Sequence, residues 1–148
     1  MNKEYLNVFL VDKNDENISM LKDIFCNIKI GVKLLIFPHI NQVKDYLDRD
    51  DTFAPELLMM NYDVFKKDLN EVLQEVKKRE KLHKVITAVY SEDFSDPEME
   101  DFFVLSGNIF IKKEDNYMVL KKKIVDVITV SWQFYTSGLN KDNFILKI

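Results

Sequence analysis

A run of four apolar residues, Leu57 to Met60, most constrains how this chain can fold. The run follows Pro55 and leads directly into the polar residue Asn61. An uninterrupted apolar run of this length is typical of a strand buried on both faces of a parallel sheet, with a short buried helix as the alternative. Ligands of open α/β sheets bind where such strands end. Asn61 is therefore the first candidate for a functional residue.

The same alternation of a short apolar strand and an amphipathic helix repeats along the chain. Strands are predicted over 5–11, 32–37, 57–60, 85–90 and 109–111. Stripes of apolar residues at three- and four-residue spacing follow each strand and predict helices. The first helix is predicted to stop near Gly31. The fourth is predicted to begin at Asp96 as N-cap, with Pro97 behind it, and to close at Gly107.

Five β/α units of this kind predict an α/β fold. The connections imply a doubly wound, five-stranded parallel sheet with helices on both faces, in the flavodoxin-like strand order 2-1-3-4-5. The 148 residues are 47% hydrophobic and 31% charged, a globular composition that suits one domain. We place this domain at 1–134.

The remaining residues, 135–148, are predicted to form a C-terminal tail. Residues from Gly138 to Asn143 are typical of a turn, and the segment from Phe144 to Ile148 is apolar and strand-like. Such a segment is predicted to dock on its own domain or to add to a partner.

Charge and patterning argue against several classes of protein. The net charge is -4 and the lysines are scattered among acids, which disfavours a nucleic-acid partner. The absence of an apolar run near 18 residues and of a secretory signal pattern predicts a cytoplasmic protein with no membrane association. The single cysteine, Cys26, lacks metal-ligand spacing and is predicted to be a small core residue. His39 and His83 lie at helix boundaries and are predicted to be surface residues.

In the predicted topology, the ends of strands one, three, four and five meet at one edge of the sheet. These ends carry Asp12, Lys13, Asn61, Ser91 and Lys113. Taken singly, Asn61 and Ser91 are residue types that often form turns and caps. Taken together, the order and spacing of these residues indicate a common site.

At these residues the chain resembles the receiver domain of two-component response regulators, which is CheY-like. The resemblance covers about residues 5 to 134. It is carried by Val11-Asp12-Lys13, by Pro55-Glu56-Leu57 with Asn61, by Val89-Tyr90-Ser91, and by Gly107-Asn108 with Phe110-Ile111-Lys112-Lys113.

The resemblance implies a role for each matched position. In the family, two adjacent acids after strand one help to hold Mg²⁺, and an aspartate after strand three is phosphorylated. A serine or threonine after strand four and a lysine after strand five contact the phosphoryl group. By position, Asp12 matches the first acid, Ser91 the hydroxyl and Lys113 the lysine. Phe110 matches an aromatic residue that couples to the hydroxyl.

Two departures from the family change the expected chemistry, because Lys13 replaces the second acid and Asn61 replaces the phosphoacceptor. An amide offers no anionic oxygen to attack phosphorus, and Mg²⁺ prefers hard anionic oxygen ligands. Three acids and one lysine give the family's pocket a charge of -2, whereas Asp12, Lys13 and Lys113 give +1. We therefore expect weak or absent Mg²⁺ binding, no cofactor and a preference for anions. Lys13 either points to solvent or stands in place of the metal and pairs with Asp12.

The expected function is that of a stand-alone, non-enzymatic receiver-like protein of a phosphorelay, which acts by binding a signalling protein. The resemblance implies docking or homodimerisation through the fourth helix, the fifth strand and the fifth helix. Phe102 or Phe103, Phe110 and Trp132 either contribute to that face or belong to the core.

Two alternative functions stay open. One is a receiver that is phosphorylated on an unusual aspartate, Asp12 or Asp63. The other is a flavodoxin-like domain that binds a small anion or a nucleotide at the same pocket, although a chain with three glycines has no glycine-rich phosphate loop.

Overall fold

A computed structural model describes residues 4–49, 51–65, 69–93, 95–137 and 145–148. The strands are β1 (Tyr5–Val11), β2 (Gly31–Phe37), β3 (Leu57–Asn61), β4 (Ile86–Ser91), β5 (Ile109–Lys112) and β6 (Leu146–Lys147). The helices are α1 (Asp15–Cys26), α2 (Ile40–Leu47), α3 (Tyr62–Phe65), α4 (Leu69–Lys78), α5 (Asp96–Val104) and α6 (Tyr117–Ser137), with a 3-10 helix at Glu80–Leu82.

The strands form one sheet in the order β2-β1-β3-β4-β5-β6, and each of these pairings is parallel. The predicted fold class is confirmed, because the first five strands have the order 2-1-3-4-5. Apolar layers cover both faces of the sheet. Helices α2, α4 and α5 pack on one face, and α1 and α6 pack on the other. β3 lies between β1 and β4 and is buried along its whole length, as its unbroken apolar run predicts.

The C-terminal residues add a strand to the sheet. In β6, Leu146 pairs with Ile109 of β5, and its backbone N–H donates to the carbonyl oxygen of Asn108 at 2.8 Å. The segment therefore docks on its own domain. Helix α6 continues to Ser137, past the predicted boundary at residue 134, because its buried stripe extends to Phe134. The turn predicted over 138–143 lies outside the described residues.

Two predictions about α1 are wrong. The helix ends at Cys26 rather than near Gly31, because Asn27 caps it with a side-chain amide that donates to the Asp23 carbonyl oxygen at 2.7 Å. Gly31 instead begins β2. Cys26 is exposed and not part of the core, since it lies off the face of α1 that buries Ile24 and Phe25.

Helix α5 begins one residue earlier than predicted. Ser95, not Asp96, is its N-cap, and Ser95 forms a reciprocal capping box with Glu98. After the helix, Ser106 adopts a positive φ of 76°. Gly107 then packs so closely on Phe102 that a Cβ atom at this position would lie 2.2 Å from the ring.

Within the described ranges, none of the helices combines the length and the apolar character that crossing a lipid bilayer requires.

Candidate functional site at the carboxyl edge of the sheet

The register of the parallel strands brings three of the predicted site residues together. Val11 pairs with Met60, so Asp12 follows β1 at the level where Asn61 ends β3. Ser91 ends β4, the next strand of the sheet. All three side chains are buried, with exposed fractions of 0% for Asp12, 6% for Asn61 and 1% for Ser91.

The Asp12 carboxylate is the centre of a buried hydrogen-bond network. It accepts hydrogen bonds from the backbone N–H of Asn14 at 2.9 Å, from the side-chain amides of Asn17 and Asn61 at 3.2 Å each, and from the Tyr90 hydroxyl. Each of these four donors is uncharged. A buried carboxylate is costly unless it is paired or well hydrogen-bonded, and here hydrogen bonds fill that role.

Three donors of this network, Asn14, Asn17 and Tyr90, were not predicted as site residues, and Tyr90 is the one that comes from the sheet. Its side chain leaves β4 one position before Ser91 and is buried in the layer formed with α1 and α6. Burial and the neighbouring Asp12 carboxylate raise the pKa of the Tyr90 hydroxyl well above its usual value. The hydroxyl therefore remains a donor to Asp12 at physiological pH. A phenol at the end of an otherwise apolar strand was the available signal.

The Asn61 side chain is fixed by hydrogen bonds at both ends. Its Nδ2 donates to Asp12 Oδ1, and its Oδ1 accepts from the backbone N–H of Asp63 at 3.0 Å. The side of Asn61 that faces Asp12 is therefore an NH₂ group.

Ser91 bonds to Asp63, a residue that the sequence analysis named only as an alternative acceptor. The Ser91 hydroxyl donates to Asp63 Oδ1 at 2.8 Å and accepts from the backbone N–H of Asp93 at 3.2 Å. The Asp63 side chain is exposed. In the family, the hydroxyl at this position contacts a phosphoryl group. Here it donates instead to a carboxylate of the chain itself.

Lys113 does not converge on Asn61, contrary to the prediction, and Lys13 takes the solvent-facing one of its two predicted alternatives. The Lys113 ammonium lies 3.0 Å from Glu92 Oε1 and 3.9 Å from Asp115 Oδ1. Lys13 is exposed and does not pair with Asp12, whose oxygens already accept from the four groups named above. The predicted pocket of charge +1 therefore does not form, because each long side chain is turned to solvent or to a nearer acid.

The aromatic residues of the expected docking face divide between core and surface. Phe102 is fully buried and Phe110 is 4% exposed, both in the layer that contains α5. Phe103 and Trp132 are partly buried against the two layers. Phe102 and Phe110 therefore belong to the core rather than to a contact surface.

Tyr62 connects this edge of the sheet to α5. It directly follows Asn61 and is buried. Its hydroxyl donates a hydrogen bond to Glu98, the same residue that closes the capping box with Ser95. Burial and the Glu98 carboxylate raise the pKa of the Tyr62 hydroxyl. The start of α3 and the start of α5 are thus held together by one side chain.

The residues at this edge do not fit a divalent cation. Hydrogen-bond donors occupy both oxygens of Asp12, and Asn61 presents an NH₂ group toward it. Mg²⁺ needs oxygen ligands in near-octahedral geometry. Across the described residues, no group of three or more His, Cys, Asp or Glu side chains is arranged to hold a metal ion.

Neither a family model nor a curated protein matches the chain by sequence. Solved structures do match. The phosphorylated cyanobacterial phytochrome response regulator RcpA has a TM-score of 0.74 at 21% identity, over 92% of this chain and 97% of that chain. Response regulator RPA3017, in red light signaling of R. palustris, has a TM-score of 0.74 at 17% identity, over 91% and 96%. The Mn²⁺-bound form of response regulator Rcp1 has a TM-score of 0.71 at 18% identity, over 91% and 97%. The chain therefore has the CheY-like fold of response-regulator receiver domains.

Proposed function

We propose that this chain is a receiver-like, non-enzymatic protein of two-component signal transduction, which is not phosphorylated and acts by binding another protein. The observation that carries the proposal is the amide of Asn61, which occupies the phosphoacceptor position and donates to Asp12 at 3.2 Å.

The chemistry of phosphoryl transfer supports this function. The acceptor must offer an anionic oxygen that attacks phosphorus. Asn61 has one oxygen, which is neutral and already accepts a hydrogen bond from the Asp63 backbone. The transferred group also needs cationic charge to balance its oxygens. Here Asp12, the retained acid, is fully buried among uncharged donors instead of facing a cation site.

The Tyr90–Asp12 hydrogen bond indicates an arrangement that persists without metal or phosphate. Each donor to Asp12 belongs to the folded chain, so the buried charge is compensated in the resting protein. A receiver of this kind holds one conformation and presents it to a partner. We accordingly expect no required cofactor.

Phosphorylation at Asp63 is the second candidate, and one observation favours it. The Asp63 carboxylate is exposed and lies next to the Ser91 hydroxyl. Asp12 is a poorer candidate acceptor because it is fully buried and accepts four hydrogen bonds. A nucleotide or small-anion site gains no support, since Lys113 is paired with Glu92.

The decisive experiment measures intact mass after incubation with acetyl phosphate and Mg²⁺. We expect the wild-type chain to gain no phosphoryl group. The double variant Lys13→Asp with Asn61→Asp restores the two acids, and adding Tyr90→Phe also removes one of the two donors to Asp12 Oδ2, the other being Asn17. We expect the triple variant to gain a base-labile phosphoryl group more readily than the double variant. Adding Tyr5→Phe to the double variant is the matched control and should change nothing.

The outcomes separate the candidates. A wild-type mass gain would overturn the proposal, and its loss in Asp63→Asn would establish the second candidate. A folded triple variant that stays unlabelled would contradict the proposal. The Asn61 amide and the hydrogen-bonded Asp12 carboxylate would then not be the groups that prevent phosphorylation.

The binding role has a separate test on the face that flanks β5 and β6. Val104 of α5 is 81% exposed, and Val119 of α6 is 44% exposed. Lys123, one turn from Val119, bonds to the carbonyl oxygen of Lys112 in β5, so this side of α6 faces the end of the sheet. Proteins that co-purify with the chain from its native organism should be lost with Val104→Glu and Val119→Glu. They should be retained with Val125→Glu, because Val125 lies in the groove between α6 and the loop after α1.

A further inference from the structure

We propose that the outer edge of β5 is a docking site for an extended apolar segment of a partner protein, and that residues 145–148 occupy this site in cis. The inference concerns an edge of the sheet away from Asn61. It rests on the protein-binding part of the proposed function, but not on the absence of phosphorylation.

The tail is bound to β5 through its backbone. The N–H groups of Leu146 and Ile148 donate to the carbonyl oxygens of Asn108 and Phe110, at 2.8 and 3.0 Å. Residues 109–111 of β5 are buried. Without the tail, these carbonyl groups would face outward beside apolar side chains, which is the arrangement that accepts an added strand.

The tail also shows which side chains the edge selects. Leu146 and Ile148 are partly buried against the layer of α1 and α6. Between and before them, Lys147 is exposed and Ile145 is 62% exposed. This two-residue alternation means that the site takes apolar side chains two positions apart and tolerates other residues between them. A partner segment with that pattern reproduces the contacts of the tail.

The tail is held weakly enough to be exchanged. β6 is two residues long, whereas β1 and β2 are seven residues each. Short edge elements with few buried side chains lie at the low end of local stability in a folded protein. Because the tail belongs to the same chain, its effective concentration at the edge is on the order of millimolar. A segment of another protein that binds weakly therefore cannot compete with the tail for the edge of β5. Release of the tail would therefore turn on binding at this edge.

The test uses full-length chains and a fluorescent synthetic peptide with the sequence of residues 143–148. Leu146→Asp with Ile148→Asp places carboxylates at the two partly buried positions and should displace the tail. Ile145→Asp is the matched control, since it adds a carboxylate to the same tail at an exposed position. By fluorescence polarisation, the peptide should bind the double variant at least about tenfold more tightly than the wild type or the control.

Equal binding to the three chains would overturn the proposal, and so would absence of binding to a double variant with native circular dichroism. A second measurement needs only the wild-type chain. Hydrogen exchange should show protected amides at Leu146 and Ile148, and full exposure of both would show that the tail does not occupy the edge.

Discussion

The carboxylate of Asp12 is fully buried, and the groups that donate hydrogen bonds to it are all uncharged. A buried carboxylate normally raises the free energy of the fold unless donors surround it. Two of its donors come from the N-cap and the first turn of α1, and the others come from the ends of β3 and β4. Asp12 therefore links three segments of the chain through one side chain.

Replacing Tyr90 by phenylalanine removes one donor to this carboxylate. We expect Tyr90→Phe to lower the free energy of unfolding by about 1.5–3 kcal/mol, the range for a hydrogen bond to a charged group. Urea denaturation at neutral pH would measure the loss. Tyr5→Phe is the control, because the Tyr5 ring lies under the Lys33 ammonium and keeps that contact without its hydroxyl. Equal losses in both variants would show that the Tyr90–Asp12 bond adds nothing.

The sequence predicted that three residues meet at this edge, but it wrongly placed Lys113 with them and did not specify how the side chains pair. Asp12, Asn61 and Ser91 share one edge because parallel strand ends share one edge, and that follows from topology. The partner of Lys113 depends on where Glu92 lies after folding, which no spacing rule specifies. The phenol of Tyr90 near the end of β4 was a signal, but Tyr90 also has the position of a core strand residue, so spacing did not indicate that its hydroxyl reaches Asp12.

At the scale of secondary structure elements, α5 and the turn before β5 pack closely at Gly107. Its backbone N–H donates to the Phe102 carbonyl oxygen at 2.9 Å, and the Phe102 ring fills the space that a side chain would need. Only glycine permits this approach without moving the ring.

Gly107→Ala tests the packing. The added Cβ would lie 2.2 Å from the Phe102 ring, so we expect a loss of about 1–3 kcal/mol in the free energy of unfolding. Gly31→Ala is the comparison, because its Cβ would lie 3.3 Å from the nearest atom at an exposed edge strand. Thermal denaturation of both variants measures the difference. A Gly107→Ala chain as stable as Gly31→Ala would mean that α5 shifts at no cost.

Element types were predictable from apolar periodicity, whereas element ends were set by side-chain hydrogen bonds. The strand predicted over 85–90 runs instead from Ile86 to Ser91. The N-cap of α5 is Ser95 because its hydroxyl accepts from the backbone N–H of Glu98. Asp96 has the same capping chemistry one position later, so the sequence alone did not separate the two.

At the scale of the whole molecule, buried tyrosines determine how stability changes at alkaline pH. Burial raises the pKa of Tyr62, Tyr90 and Tyr135 above the usual value, with Glu98 and Asp12 adding to the effect at the first two. In the unfolded chain these groups ionise near about pH 10. Above that pH the unfolded state releases protons that the native state retains, so the free energy of unfolding must fall as pH rises.

Each such tyrosine should contribute a slope of about 1.4 kcal/mol per pH unit above about pH 10, and almost none below about pH 9. Urea denaturation between about pH 8 and pH 11 measures the total slope. Tyr135→Phe should make this slope less steep by about 1.4 kcal/mol per pH unit, because it removes one of the tyrosines whose pKa is raised in the native state. A slope that Tyr135→Phe does not alter would contradict this account.

The parallel pairing of the strands also governs how fast the native state can form. Even the pairing of β4 with β5 joins Ala88 to Ile109, with all of α5 between them, and the pairing of β1 with β3 joins Val8 to Leu57. The six described strands contain no hairpin that could start the sheet, so each strand gains a hydrogen-bonded neighbour only after a long crossover has closed. We expect refolding to be slow for a chain of this length. During an initial lag, helices are formed while strand edges are still unpaired, and the chain is then prone to aggregate through those edges.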